Sequence, residues 1–247
     1  MYRKNDRLQL FMNLILLEKS DFIAENLVRL TDRRLEHLRT VLKAVPGGHC
    51  KVGLLEGGVG QGTVVELTPE AVTLEVAFGA GPPPPDGVTL VIALPRPQTY
   101  RKVLHIAVSM GVKELVMIHT FKVEKSYWQS NFLAEDFFRR EALLALEQSG
   151  DTVMPRITYH RRFRPFIEDV YPGLAAGKTA YLAHPGAGEA FPERPERPAL
   201  LIVGPEGGFN DFEVSGFLAA GAQGVSLGRR ILRTEVALAA LLSRWLN

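Results

Sequence analysis

The stretch Leu200-Leu201-Ile202-Val203-Gly204-Pro205-Glu206-Gly207-Gly208-Phe209-Asn210-Asp211 decides the fold. Four consecutive aliphatic residues with no polar alternation read as a strand buried on both faces. Glycines 204, 207 and 208 then open a loop in which positive φ is permitted and no Cβ obstructs a ligand's approach to the backbone. A helix is expected to begin near Asn210 or Asp211, and its N-terminus offers free N–H donors. Strand, glycine loop and helix in that order form the unit of a parallel sheet covered by helices, whose ligands bind beyond the carboxyl ends of the strands. The loop is not G-x-G-x-x-G and lacks the lysine and hydroxyl of a P-loop. A tight structural turn would carry the same glycines, so the pattern alone leaves both readings open.

Outward from this point the texture repeats. Val88 to Leu94, Leu115 to Ile118, Ala180 to Ala183 and Val225 to Leu227 are further expected strands. Tyr100, Val103, Leu104, Ala107 and Val108 recur at helical spacing, and Leu133 to Gln148 reads as a longer helix. A second charged turn, Leu227-Gly228-Arg229-Arg230-Ile231-Leu232-Arg233-Thr234-Glu235, follows the last strand. The helix after it, Val236 to Leu246, is apolar on nearly every face, which predicts burial or self-association. Arg233 and Glu235 are thereby held near buried structure and become candidates for chemistry; a mutual ion pair is the plainer alternative.

The boundary upstream is Gly79-Ala80-Gly81-Pro82-Pro83-Pro84-Pro85-Asp86-Gly87, a stiff proline-rich linker. The division is an extension over 1–11, a small β-barrel domain over 12–80, the linker over 81–87 and the α/β domain over 88–247. In the first domain, Thr31 to Ala44 is an expected helix with Thr31 or Asp32 as N-cap and Leu35, Leu38, Val41 and Leu42 on one face, closed by Gly47-Gly48. Lys51 to Leu55, Gly62 to Leu67 and Val72 to Val76 read as strands. Arg3, Lys4 and Arg7 ahead of Leu10 to Leu17 imitate a signal peptide. Asn13 interrupts that run and no small-x-small cleavage site follows, so Asn13 to Leu17 is taken as the first strand.

Composition narrows the class further. A chain of 247 residues, 46% hydrophobic and 23% charged, has ordinary globular make-up, which excludes a disordered, collagenous or rod-like protein. No apolar run reaches the ~18–20 residues of a membrane span, so a soluble, cytosolic protein is expected. The single cysteine, Cys50, excludes an internal disulfide framework and a cysteine zinc site. The six histidines show no paired ligand spacing, so no metal is expected. The net charge of +2 averages over an uneven chain: residues 1–80 carry ten basic and ten acidic side chains, residues 96–164 twelve and seven. Arg161, Arg162 and Arg164, bunched beside His160, make a candidate phosphate-facing surface.

Gly204 to Phe209 paired with Leu227 to Glu235 at this spacing resembles the RsmE-type family of small-subunit (16S) rRNA uridine-N3 methyltransferases, within the SPOUT superfamily. The likeness extends to His37-Leu38-Arg39-Thr40-Val41-Leu42-Lys43 with Gly47-Gly48, to Met110-Gly111-Val112, to Glu147-Gln148-Ser149 and to His184-Pro185. The resemblance implies an α/β domain with a parallel sheet and a deep trefoil knot, preceded by a PUA-like β-barrel that binds RNA. It implies a homodimer, which the apolar C-terminal helix suits. It also implies S-adenosylmethionine held by backbone groups of three loops: Ala183, His184 and Pro185; Gly204, Pro205, Glu206, Gly207 and Gly208; and Leu227, Gly228, Ile231, Leu232 and Arg233.

On that reading Arg233 stabilises the negative charge developing on uracil, and Glu235 acts as a base or orients Arg233. RNA would be met by Arg33, Arg34, Arg39 and Lys43 on the barrel helix, and by Arg96, Lys122, Lys125 and Gln148. Tyr127 and Trp128 are candidate stacking surfaces or packing residues. Ile106, Ser109, Asp151 and Val236 depart from the family's pattern. Two other readings stay open: methylation of another RNA atom such as a ribose 2′-oxygen, and a non-catalytic RNA-binding homologue.

Overall fold

The computed structural model describes residues 14–82 and 84–246; Asn13 and the expected extension over 1–11 lie outside them. Contacts divide the chain at Pro84/Pro85, and Leu146–Met154 belongs with the first unit.

The first unit carries β1 (Ile15–Leu17), β2 (Phe22–Ala24), β3 (Leu27–Leu30), α1 (Arg33–Thr40), β4 (His49–Leu54), β5 (Val59–Leu67) and β6 (Val72–Ala80). The strands form one sheet in the order β1-β4-β5-β6-β3-β2. Only β1 and β4 run parallel; the other neighbours are antiparallel. Period-2 alternation places Val72, Leu74 and Val76 in a core shared with Leu17, Val28, Leu30, Leu38 and Val52, while Glu75 faces out.

The Asp32 carboxylate caps α1 by accepting from the Arg34 N–H. The helix stops at Thr40, short of the expected Ala44. Lys43 takes φ +49°, and the Ala44 N–H donates to the Leu38 carbonyl, a left-handed stop made without glycine. Val41 therefore leaves the core face and is 63% exposed. Leu146–Met154 packs in this unit through backbone and side-chain bonds: the Leu14 N–H donates to the Glu147 carbonyl at 2.9 Å, and Thr152 Oγ1 donates to the Gly57 carbonyl at 2.6 Å.

The second unit carries β7 (Val88–Ala93), α2 (Pro97–Ser109), β8 (Glu114–Ile118), α3 (Glu135–Ser149, whose last residues belong to the first unit), β9 (Arg156–His160), α4 (Phe163–Pro165), α5 (Tyr171–Ala175), β10 (Thr179–Ala183), β11 (Glu189–Ala190), β12 (Ala199–Val203), α6 (Asp211–Ala219), β13 (Gln223–Ser226) and α7 (Thr234–Leu242). A π-helical turn, Phe166–Val170, joins α4 to α5. The seven strands lie in the order β11-β13-β10-β12-β7-β8-β9, every pair parallel. Every residue of β7 and β12 is buried, as a sheet covered on both faces requires. The five apolar residues read at helical spacing on α2 are all buried.

The C-terminal helix, expected over Val236 to Leu246 and either buried or self-associating, runs over Thr234–Leu242 and is only partly buried. Leu238, Leu241 and Leu242 are buried, whereas Val236 on α7 and Leu246 beyond its end are each 49% exposed within the single chain. Among the described residues no helix is long and apolar enough to cross a membrane.

Candidate active site

In the strand order, β10 lies between β12 and β13, so the loops leaving their carboxyl ends converge. They enclose a cavity of about 370 Å³. Its lining includes Ala183 at the end of β10 with His184 and Pro185 after it, Gly204 through Phe209 after β12, and Leu227, Gly228, Arg230, Ile231 and Leu232 after β13. Thr234, Ala237 and Leu241 of α7 and the side chain of Lys122 complete the wall. Twelve of the thirteen positions that the resemblance assigns to cofactor binding thus line one cavity. The thirteenth, Arg233, is exposed at the N-cap of α7 outside that lining.

Local chemistry explains the shape of the loop after β12. Gly208 has φ +72° and donates its N–H to the Pro205 carbonyl at 2.8 Å, closing a tight turn. Asn210 and Glu213 then form a reciprocal capping box at the start of α6. Glu213, 2% exposed, does more than cap: one carboxylate oxygen accepts from the Asn210 N–H at 3.0 Å and the other from the Phe121 N–H at 2.6 Å. A single buried carboxylate therefore ties the loop before α6 to the loop after β8. Lys122 adds a second tie, with Nζ donating to the Gly207 carbonyl at 2.7 Å. The Arg96 N–H donates to the Glu206 carboxylate at 3.1 Å.

Glu235 lies in the first turn of α7 and its carboxylate accepts from Lys102 Nζ at 3.2 Å. The plainer alternative, a mutual Arg233–Glu235 ion pair, gives way to one between Glu235 and Lys102 of α2. Its own backbone N–H, with Lys102 and the nearby Arg233 guanidinium, outweighs burial and holds Glu235 below the ordinary carboxylate range. A carboxylate so stabilised in its charged form is a weak base and a good electrostatic anchor.

The candidate RNA contacts divide. In the first unit Arg33 makes a fork to both oxygens of Glu147 at 2.8 Å yet stays half exposed, Arg39 pairs with Glu36 at 2.5 Å, and Lys43 and Gln148 are exposed. Arg34 is removed from the set: it is buried, with its guanidinium on Asp21, Asp32 and the Leu16 carbonyl. In the second unit Arg96, Lys122 and Lys125 are exposed, while Tyr127 is half buried with its hydroxyl donating to Glu124 at 3.1 Å.

Trp128 is a packing residue, 8% exposed. Its indole N–H donates to His119 Nδ1 at 2.8 Å and the Arg161 guanidinium lies 5.3 Å from its ring centroid. Burial lowers the His119 pKa, which keeps that nitrogen available as an acceptor. Of the bunched arginines, Arg164 pairs with Glu168 at 2.8 Å.

Sequence reasoning missed Lys102, Arg230, Phe121 and Glu213. Only Glu213 had a local signal, the N-x-x-E capping pattern from Asn210. Asp151 is buried, and its Oδ1 accepts from the Val153 N–H at 2.9 Å, a local turn that explains an aspartate there.

Residues 82–246 match the family model described as an RNA methyltransferase domain. The ribosomal RNA small subunit methyltransferase E of Treponema pallidum is 27% identical over 240 residues, covering 92% of this chain and 87% of that protein. Its counterpart in Synechocystis sp. is 30% identical over 219 residues, covering 87% and 71%. Among solved structures, the enzyme of that name from Neisseria gonorrhoeae, bound to S-adenosylmethionine, superposes with a TM-score of 0.73 at 21% identity, covering 94% of this chain and 95% of that one. That superposition shows a shared fold over both units. The domain match and the long relatives of one kind together establish that the chain belongs to the ribosomal RNA small subunit methyltransferase E family.

Proposed function

We propose that the protein methylates N3 of a uridine in 16S ribosomal RNA with S-adenosylmethionine as the donor. The observation that carries this reading is the cavity at the carboxyl ends of β10, β12 and β13, in a chain of this family. The residues fit the donor. A volume of about 370 Å³ lies within the ordinary range for small-ligand sites. The wall is rich in glycine backbone, with Pro185, Val203, Pro205 and Leu227 supplying apolar surface.

S-adenosylmethionine supplies an electrophilic methyl group on a sulfonium centre. Uracil N3 bears a weakly acidic proton, so the protein must favour the anion that forms as that proton passes to solvent water. Arg233 is exposed beside the cavity-lining Leu232, where its guanidinium can hydrogen-bond a uracil carbonyl oxygen; one such donor is often worth ~3 kcal/mol. Glu235, charged and held by Lys102, orients this cationic corner rather than taking the proton. Fixing both substrates in one geometry supplies the rest.

In this reading the loops around the cavity belong to a trefoil-knotted SPOUT domain, and the first unit is a PUA-like RNA-binding barrel. A homodimer covers the exposed Val236 of α7 and Leu246 beyond its end. Arg33, Arg39, Lys43, Arg96, Lys122, Lys125 and Gln148 meet RNA phosphates. On the same reading the enzyme acts in ribosome maturation in the cytoplasm.

Isothermal titration with S-adenosylmethionine, run beside methyl transfer to 16S rRNA, tests the assignment. The wild-type chain should bind the donor, and Arg233→Ala should keep most of that binding while losing ~100-fold or more in turnover. Equal loss of both contradicts the role given to Arg233. A wild-type chain that binds RNA but no donor would instead be a non-catalytic RNA-binding homologue.

A further inference from the structure

The loop after β8 holds an unexplained side chain. Phe121 is 80% exposed, while its backbone N–H is pinned at 2.6 Å by the buried Glu213 carboxylate. The next residue, Lys122, lines the cavity and donates to the Gly207 carbonyl at 2.7 Å. A large apolar ring is thus presented to solvent from a fixed backbone, one residue from the cavity wall. The two aromatics further along the loop are committed elsewhere, Trp128 to the protein interior and the Tyr127 hydroxyl to Glu124.

The surroundings say what chemistry would cover the ring. Lys122 and Lys125 share its loop, and Arg161 and Arg162 leave the carboxyl end of the adjacent strand β9; all four are exposed. The His119 N–H donates to the His160 carbonyl at 2.8 Å, extending the β8–β9 pairing and bringing the two loops together. An exposed aromatic face among cations is the recognition chemistry of an unpaired nucleic-acid strand, whose bases stack while its phosphates meet the cations. A uridine that reacts at N3 must be unstacked and unpaired, because its pairing edge is the reacting edge.

Resting on the methyltransferase reading above, we infer that Phe121 is the stacking platform for an unpaired nucleobase of the substrate RNA, at or beside the target uridine. The ring binds substrate and takes no part in proton movement.

Phe121→Ala, Phe121→Leu and Phe121→Trp test this in the full chain with 16S rRNA as probe. Base–aromatic stacking lost to alanine corresponds to roughly 5- to 150-fold in affinity. Phe121→Ala and Phe121→Leu should raise the RNA KM and the RNA dissociation constant by that factor, with S-adenosylmethionine affinity and melting temperature unchanged. Phe121→Trp should restore RNA affinity, and its added indole emission should be quenched by RNA.

A Phe121→Leu protein with wild-type RNA affinity would overturn the inference, since it retains apolar surface without a π face. So would a change in oligomeric state at unchanged RNA affinity, which would make the ring a protein contact. If the wild type transfers no methyl group but Phe121→Ala still weakens RNA binding, the methyltransferase reading fails and the platform stands.

Discussion

Gly208→Ala separates backbone strain from steric blockage in the loop after β12. Gly208 sits at φ +72°, and an added Cβ would meet nothing within 4 Å. The substitution therefore carries only the dihedral penalty, about 1–2 kcal/mol for an L residue in the left-handed region. Against it stands the smaller unfolded-state entropy of alanine, worth ~0.4–1 kcal/mol. The net cost is about 1 kcal/mol. If the loop keeps its shape, that cost lowers the melting temperature by roughly 2–4 °C. If the loop relaxes, it appears instead as about fivefold weaker S-adenosylmethionine binding.

Calorimetric melting and isothermal titration on one preparation should recover the full cost between them. Gly208→Asn should recover much of the loss, because asparagine tolerates this conformation. A Gly208→Ala protein that melts higher than wild type with undiminished donor affinity would refute the reasoning.

Three further outcomes are expected. Gly207→Val places a branched side chain where Lys122 Cδ already lies 2.9 Å from the added Cβ position, displacing the lysine and filling the cavity wall; titration should detect no S-adenosylmethionine binding. Because its own N–H, Lys102 and Arg233 hold Glu235 below the ordinary carboxylate range, the group is ionised throughout the neutral region. The stability it adds is complete above its unfolded pKa and fades only as pH falls through its lower folded value. Glu235→Gln should thus leave the shape of the rate profile above pH ~6 unchanged while lowering its height; loss of an acid limb in that range would show Glu235 to be the base. Burial pushes the Cys50 thiol up to about 11, so a disulfide reagent at neutral pH should label it only after unfolding.

The second unit's architecture is legible because burial on both faces leaves apolar runs such as Leu200–Val203, which no helix of that length would need. β9 escapes the same reading: Arg156, Thr158 and His160 alternate with Ile157 and Tyr159 on an edge strand, and two-residue β11 has no pattern to read. The end of α1 was misplaced for a local reason, since a left-handed stop at Lys43 carries no glycine signal.

The cavity was legible because backbone-lined sites announce themselves through glycine at strand ends. Partners distant in sequence were not. The Lys102 that holds Glu235 lies 133 residues away, and Glu147 reaches Arg33 across 114. Burial misled the charge reading at Arg34, which counts as a cation in composition but spends its charge on Asp21 and Asp32. Trp128, open between stacking and packing, is buried while Phe121 is exposed: sequence specifies an aromatic side chain, and packing decides which ring faces solvent.

Mass spectrometry of nuclease digests bears most directly on the assigned reaction. 16S rRNA from cells lacking the gene would be incubated with the purified protein and isotopically labelled S-adenosylmethionine. The label should appear in one uridine, on the base at N3. Label on a ribose 2′-oxygen, or none from a protein that binds the donor, would contradict the assignment.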